Sequence, residues 1–161
     1  LGYTAVAALE DDRVGSLIVV EALPQVIGWH ERGLLPEAAG LTDDARTRLV
    51  LGDFFAMAAG EEGFDPQALG RTFDAILLDV DHSPRHVLHP SHAGFYTADG
   101  LGRLSRFLAP GGVFALWSDD PPDDEFLAVL RAVFDRARAE VVSFRNFLIG
   151  GESTNTVYVA S

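Results

Sequence analysis

Residues 73–92 read FDAILLDVDHSPRHVLHPSH. The segment opens with an apolar run, Ala75-Ile76-Leu77-Leu78, that stops on a carboxylate, Asp79. A second acid, Asp81, follows, then four histidines, His82, His86, His89 and His92, with Pro84 and Pro90 among them. An apolar strand that ends on an acid and spills into a proline-broken polar loop marks the chemical edge of an open α/β sheet. Ligands in such folds sit outside the carboxyl ends of the strands.

Two strands upstream end the same way. Ser16-Leu17-Ile18-Val19-Val20 stops at Glu21, and Arg48-Leu49-Val50-Leu51 stops at Gly52-Asp53. A helical pattern runs through Leu9 before the first of them. A helix is predicted over 23–32, with Leu23, Val26, Ile27 and His30 on one face and Gly33 as its stop. Residues 34–45 read as loop, 54–59 as a short helix, and 60–72 as a polar surface insertion.

Downstream, Thr97 or Asp99 caps a helix to Leu108, with Leu101, Leu104, Phe107 and Leu108 facing inward. Pro110-Gly111-Gly112 turns the chain into a strand over 113–117. Asp123, Asp124 and Glu125 then place acids at the positive end of a helix. The apolar face of that helix is Phe126, Leu127, Leu130, Val133, Phe134 and Ala137. Strands over 140–147 and 154–159 close the chain as a hairpin through Gly150-Gly151. Strand alternating with helix predicts an α/β fold, a Rossmann-like, doubly wound, mostly parallel sheet with a C-terminal antiparallel hairpin.

At 161 residues the chain is long enough for one domain, spanning 1–161, that buries roughly 70% of its unfolded surface. It has no cysteine, so disulfides and thiolate metal sites are excluded. No apolar run approaches the ~20 residues of a membrane span. The formal net charge is −12, from 24 acids against 12 bases. Such a surface repels phosphate backbones, which argues against nucleic acid as a partner and favours a cationic small molecule.

Three acids on consecutive strands, Glu21, Asp53 and Asp79, can line one edge of a parallel sheet. The first suits the two hydroxyls of a ribose, and the second the exocyclic amine of an adenine. Phe54 is placed to cover the adenine face. Each acid taken singly is equally at home as a turn or cap residue.

The order VVEALPQVI (19–27), LGDFF (51–55), FDAILLDVD (73–81), FYTADGLGRLSRFLAPGG (95–112) and closing hairpin resembles the spermidine synthase-like branch of the class I S-adenosylmethionine-dependent transferases. The resemblance covers most of the chain and rests on order and spacing. It implies a cytoplasmic enzyme with S-adenosylmethionine or decarboxylated S-adenosylmethionine as cofactor. Glu21 would hold the ribose, Asp53 the adenine amine, and Asp79 would orient an acceptor amine and take its proton. Gly2 would be the last glycine of a glycine-rich first loop. That loop and the central strand before it are not in the sequence, so the resemblance implies an N-terminally truncated domain lacking its first strand.

Polyamine-forming members continue the catalytic Asp with a hydroxyl pair and an Asp-Pro step. Here the segment is Asp79-Val80-Asp81-His82-Ser83-Pro84, and Asp81 is the substitute on offer. Aminopropyl transfer to a small amine and methyl transfer to a small-molecule acceptor therefore both stand. Beside them stand a degenerate cofactor-binding domain and an NAD-type oxidoreductase, which the terminal hairpin disfavours. Tyr96 falls where the family has an aromatic residue near the substrate. The acceptor and any homo-oligomer are left open.

The histidine spacing would set three rings on one helical face, as a metal site needs. Pro84 and Pro90 break such a helix, so no metal site is expected. A histidine beside Asp79 can serve as base or substrate ligand, His82 being placed best, or all four can be plain loop residues. Trp117, Asp119 and Asp120 share the same edge. They either wall a cationic substrate or cap the next helix.

Overall fold

The computed structural model describes residues 2–80, 83–146 and 150–161, with Glu37 by its backbone alone. The chain divides into two compact units, Leu1–Arg71 and Thr72–Ser161.

The first unit contains α1 (Tyr3–Leu9), β1 (Leu17–Glu21), α2 (Pro24–Glu31), a 3-10 turn (Pro36–Ala38), β2 (Thr47–Leu51) and α3 (Phe54–Ala59). Strands β1 and β2 are parallel, from Leu17 opposite Thr47 to Glu21 opposite Leu51. One further bond, from the Gly52 N–H to the Glu21 carbonyl at 3.0 Å, carries the pairing past the strand ends. Glu21 and the Gly52-Asp53 step therefore lie side by side. Helix α1 is tied down at its C-terminal end. The Arg46 guanidinium donates to the carbonyls of Leu9 and Val14, each at 3.1 Å, while Asp44 holds it at 2.7 Å.

Residues 60–72 are more than a surface insertion. Phe64 and Asp65 are buried, and the Asp65 carboxylate is gripped by Arg48 at 2.6 Å and Arg71 at 2.9 Å. Burial works to raise the Asp65 carboxyl, but hydrogen bonds from Arg71, the Gln67 N–H and Arg48 outweigh it and hold it at about 2. The polar composition concealed this segment because its acid is buried together with its counter-ions.

The second unit contains β3 (Phe73–Leu78), a 3-10 helix (Pro90–Tyr96), α4 (Ala98–Ser105), β4 (Leu108–Ser118), α5 (Asp124–Arg131), β5 (Ala137–Asn146) and β6 (Gly151–Ala160). Its sheet has the order β3-β4-β6-β5, with β3 and β4 parallel and β6 antiparallel to both of its neighbours. The core is Leu101, Leu104, Phe107, Phe114, Leu116, Phe126, Leu130, Phe134 and Tyr158. Thr97 is the cap of α4, its hydroxyl accepting from the Gly100 N–H at 3.2 Å.

Four boundaries differ from the sequence expectation. Helix α4 ends at Ser105, short of the expected Leu108, because Leu108 already pairs with Phe73 as the first residue of β4. The Pro110-Gly111-Gly112 turn is absorbed into β4 as an irregularity between Phe73 opposite Leu108 and Ala75 opposite Val113. Gly111 takes φ 77°, and a Cβ on Gly112 would stand 2.9 Å from the Ala109 carbonyl, so the kink needs both glycines. Helix α5 ends at Arg131, short of the expected Ala137. Arg136 exchanges two 2.9 Å backbone bonds with Ser161, so sheet pairing claims the residues that helical periodicity would have kept. Phe134 still enters the core, stacked on Phe114 at 6.2 Å. The hairpin strands begin earlier than expected for the same reason, and Phe147 lies outside the described residues. Among the described residues no helix is long and apolar enough to cross a membrane.

Candidate functional site

The first unit offers a pair of acids with matched geometry. Glu21 follows the last apolar residue of β1, and its Oε1 accepts from the Leu23 N–H at 2.8 Å. Asp53 is the N-cap of α3, and its Oδ1 accepts from the N–H groups of Phe55 at 2.9 Å and Ala56 at 3.3 Å. In each carboxylate one oxygen is held by backbone, and the other has no partner among the described residues. A carboxylate oriented in this way accepts from a ligand's hydroxyl or amine at little ordering cost. Phe54 is half-buried and stacks on Phe64, ring centroids 5.1 Å apart, giving a flat aromatic slab beside Asp53. A cleft of about 670 Å³ opens here, lined by Asp53, Ala56, Met57, Glu61, Pro66 and Leu69 among others.

Gly2 sits at the start of α1 with φ 95°, and a Cβ there would meet His30 Cε1 at 2.8 Å. Only glycine fits both the left-handed backbone and the close approach. His30 is a buried packing residue, and desolvation lowers its pKa.

In the second unit Asp79 follows directly on β3, and its side chain is exposed. Asp81 and His82 lie outside the described residues. Tyr96 is half-buried and meets Phe95 and Phe126 edge-on at 5.2 and 5.9 Å. Burial pushes its phenol up to about 12. Packing is its visible role.

The loop after Asp79 carries an arrangement that sequence reading missed. Ser83-Pro84-Arg85-His86 is a tight turn, with Pro84 pre-setting φ at its second position. The His86 N–H donates to the Ser83 carbonyl at 3.2 Å and to Ser83 Oγ at 3.1 Å. Both side chains converge on one acid from the other edge loop. Ser83 Oγ donates to Asp120 Oδ2 at 2.5 Å, and His86 Nδ1 lies 2.8 Å from the same oxygen. Asp120 is itself held by its backbone. Its N–H reaches buried Ser118 Oγ at 3.2 Å, and its carbonyl accepts from buried Thr156 Oγ1 at 2.7 Å. Hydrogen bonds from Ser83 and then His86 keep the Asp120 carboxyl below its ordinary value, against a smaller opposing effect of burial.

Next to it, Arg85 forks onto Asp123 through Nε at 2.6 Å and Nη2 at 2.8 Å. Asp123, not Asp120, caps α5, accepting from Glu125 and Phe126 N–H groups. Its own N–H donates to the buried Tyr158 hydroxyl at 2.7 Å. These groups enclose a cavity of about 280 Å³, lined by residues 83–86, Ser118, 120–123 and Tyr158. No sequence periodicity pairs a turn with acids 34 to 38 residues on. The only signal was a Ser-Pro-x-His turn and a surplus of acids after the next strand.

The Arg85–Asp123 fork sets an acid dependence. Arg85 chiefly depresses the Asp123 carboxyl from 3.8 to about 2. A folded-state pKa below the unfolded one gives stability that is complete above 3.8 and is lost as pH falls towards 2. Arg85→Gln is expected to raise the midpoint of acid unfolding, followed by circular dichroism, by about half a pH unit or more.

His89 and His92 have structural partners. His89 caps the 3-10 helix through Nδ1, which accepts from the Ser91 N–H at 3.2 Å, and His92 packs 5.8 Å from its ring. Among the described residues no three His, Asp or Glu side chains gather as a metal site requires.

No family model matches the sequence, and no curated protein matches it either. Solved structures do. Spermidine synthase from Thermotoga maritima superposes with a TM-score of 0.68 at 21% identity, over 99% of this chain and 49% of that one. Human methyltransferase-like protein 13, solved in complex with SAH, gives 0.69 at 21% identity, over 100% of this chain and 68% of that one. Precorrin-6y C5,15-methyltransferase from Geobacter metallireducens gives 0.58 at 16% identity, over 99% and 74%. The chain spans about half the length of the spermidine synthase it matches. Its fold is the Rossmann-like fold that spermidine synthases and methyltransferases share.

Proposed function

We propose that this chain is a spermidine synthase-like transferase, moving an aminopropyl group from an S-adenosylmethionine-type sulfonium to a small amine. The observation that carries the reading is the paired carboxylates at the ends of β1 and β2, each with one oxygen held and one open. Glu21 takes the ribose hydroxyls. Asp53 takes the adenine amine, and Phe54 lies along the ring. Gly2 keeps the backbone close at the methionine side.

When bound, the cofactor supplies a carbon group on a positively charged sulfur that leaves with the bonding electrons. The chain's own work is on the acceptor. An attacking amine must be neutral, in line and shielded from bulk water. Asp79, at the end of β3, accepts a hydrogen bond from the amine and aims its lone pair. Asp81 and His82 follow Asp79 in the sequence and are assigned to the acceptor's surroundings, and Tyr96 contributes packing. The whole chain serves as one cofactor-dependent domain of a cytoplasmic enzyme.

Methyl transfer is the second reading. It is favoured by Val80 standing where polyamine-forming enzymes carry a hydroxyl residue after the acid. Isothermal calorimetry on the full-length protein separates the two. Aminopropyl transfer predicts that decarboxylated S-adenosylmethionine binds about tenfold or more tightly than the carboxylated form, a gap of ~1.4 kcal/mol. The reverse preference would establish methyl transfer.

A further inference from the structure

The Ser83–Asp120–His86 cluster joins the loops after β3 and β4 of the second unit. Its atoms are ordered in an unusual way for these three residue types. In an acyl-transfer triad the histidine stands between the serine and the acid. Here the acid stands between the other two. Ser83 Oγ donates a hydrogen bond to Asp120 Oδ2 at 2.5 Å and lies 3.5 Å from His86 Nδ1. Its hydroxyl is directed at the carboxylate and not at the histidine, so the three residues do not form an acyl-transfer triad.

The same order settles the histidine tautomer. An ionised carboxylate only accepts, so at 2.8 Å the Nδ1 must carry the proton. The lone pair is then on Nε2, which has no hydrogen-bond partner among the described residues. The ring lines the 280 Å³ cavity, and its side chain is 73% exposed. Buried Ser83 donates to the carboxylate, while buried Ser118 and Thr156 fix the Asp120 backbone on either side, so the acid is anchored by groups other than the histidine. An imidazole held at Nδ1 by a fixed acid and open at Nε2 is arranged to accept a proton.

We infer that His86 is the proton acceptor for the amine substrate, with Asp120 and Ser83 as positioning residues. The inference rests on the amine-acceptor reading above. It divides the work expected of Asp79, which keeps the aiming of the amine and yields the proton to His86. In the step itself an N–H bond of the substrate ammonium breaks. Its electron pair stays on nitrogen, and the proton bonds to Nε2, leaving an imidazolium neutralised by Asp120. The freed lone pair is the nucleophile.

Two independent readouts test this in the full-length protein. Nitrogen-15 NMR of the His86 ring is expected to show the Nδ1–H tautomer in wild type and its loss in Asp120→Asn. Titrating 1,4-diaminobutane should move the Nε2 resonance in wild type only. In turnover with decarboxylated S-adenosylmethionine and 1,4-diaminobutane, His86→Gln should lower kcat about 10²-fold, as loss of a general base does. His86→Gly should be partly rescued by added imidazole, a result that a merely structural histidine would not give. Calorimetric affinity for S-adenosylhomocysteine should stay unchanged in all these variants.

An Nε2–H tautomer in wild type, an Nε2 resonance indifferent to the diamine, or wild-type kcat in His86→Gln would overturn the inference. Failure of S-adenosylhomocysteine to bind wild type would instead overturn the cofactor reading, and the two NMR results would still decide the role of His86.

Discussion

Replacing Asp79 by asparagine is expected to lower kcat about 10²-fold or more while leaving cofactor affinity within about twofold. The side chain is exposed at the end of β3, so the substitution removes charge without disturbing the core. Asparagine keeps the size and one acceptor oxygen but loses the charge that, in the role proposed for Asp79, draws the amine and fixes its lone pair in line. Misorienting a nucleophile costs rate, not binding of the other substrate. The check is steady-state turnover paired with calorimetry of S-adenosylhomocysteine. Equal losses in both would mean that Asp79 is a structural residue.

The largest effect on stability is expected at Gly100, in the first turn of α4. A Cβ there would stand 2.3 Å from the Gly94 carbonyl and 2.6 Å from Phe95 Cα. Both are backbone atoms of the 3-10 helix Pro90–Tyr96, so no side chain can swing aside. Gly100→Ala therefore either separates α4 from that helix or forces the backbone to shift, at a cost of about 3 kcal/mol or more. Against a total of about 5–15 kcal/mol this is a large loss. Gly102, one turn face away in α4, has nothing within 4 Å of its Cβ position. Gly102→Ala should instead stabilise by about 0.5–1 kcal/mol through helix propensity. Urea unfolding of the two variants, expected to shift in opposite directions, is the measurement. A neutral Gly100→Ala would show that the close packing of α4 is not required.

The sequence made the strand–helix alternation legible because its apolar runs end on acids or glycines at regular intervals. Helix α3 was read to the residue, and so was the burial of Leu101, Leu104 and Phe107, whereas Leu108, expected on the same helix face, is half-buried and opens β4. Where it failed, a distant partner decided the local structure. Ser161 claimed Arg136 from the end of α5, and Arg48 and Arg71 buried Asp65 in a stretch that looked solvent-exposed. The candidate site divides along the same line. Glu21 and Asp53 were legible because each follows its own strand, and parallel pairing of β1 with β2 must set them side by side. The Ser83–Asp120–His86 cluster was not, because His86 is local to its loop but its meaning depends on an acid 34 residues later. Loop histidines looked alike in sequence. One caps a 3-10 helix, and another is held by an acid whose backbone is itself anchored by two buried hydroxyls.

The central claim is that the carboxylates after β1 and β2 hold an adenosyl cofactor of the sulfonium class. Titration calorimetry of the full-length protein with S-adenosylhomocysteine and with NAD tests it most directly. Saturable binding of S-adenosylhomocysteine is expected, about tenfold or more tighter than NAD. Glu21→Ala is expected to lower that affinity by about tenfold or more, as charge-assisted hydrogen bonds to the ribose disappear. Preference for NAD, or S-adenosylhomocysteine binding that is indifferent to Glu21→Ala, would contradict it.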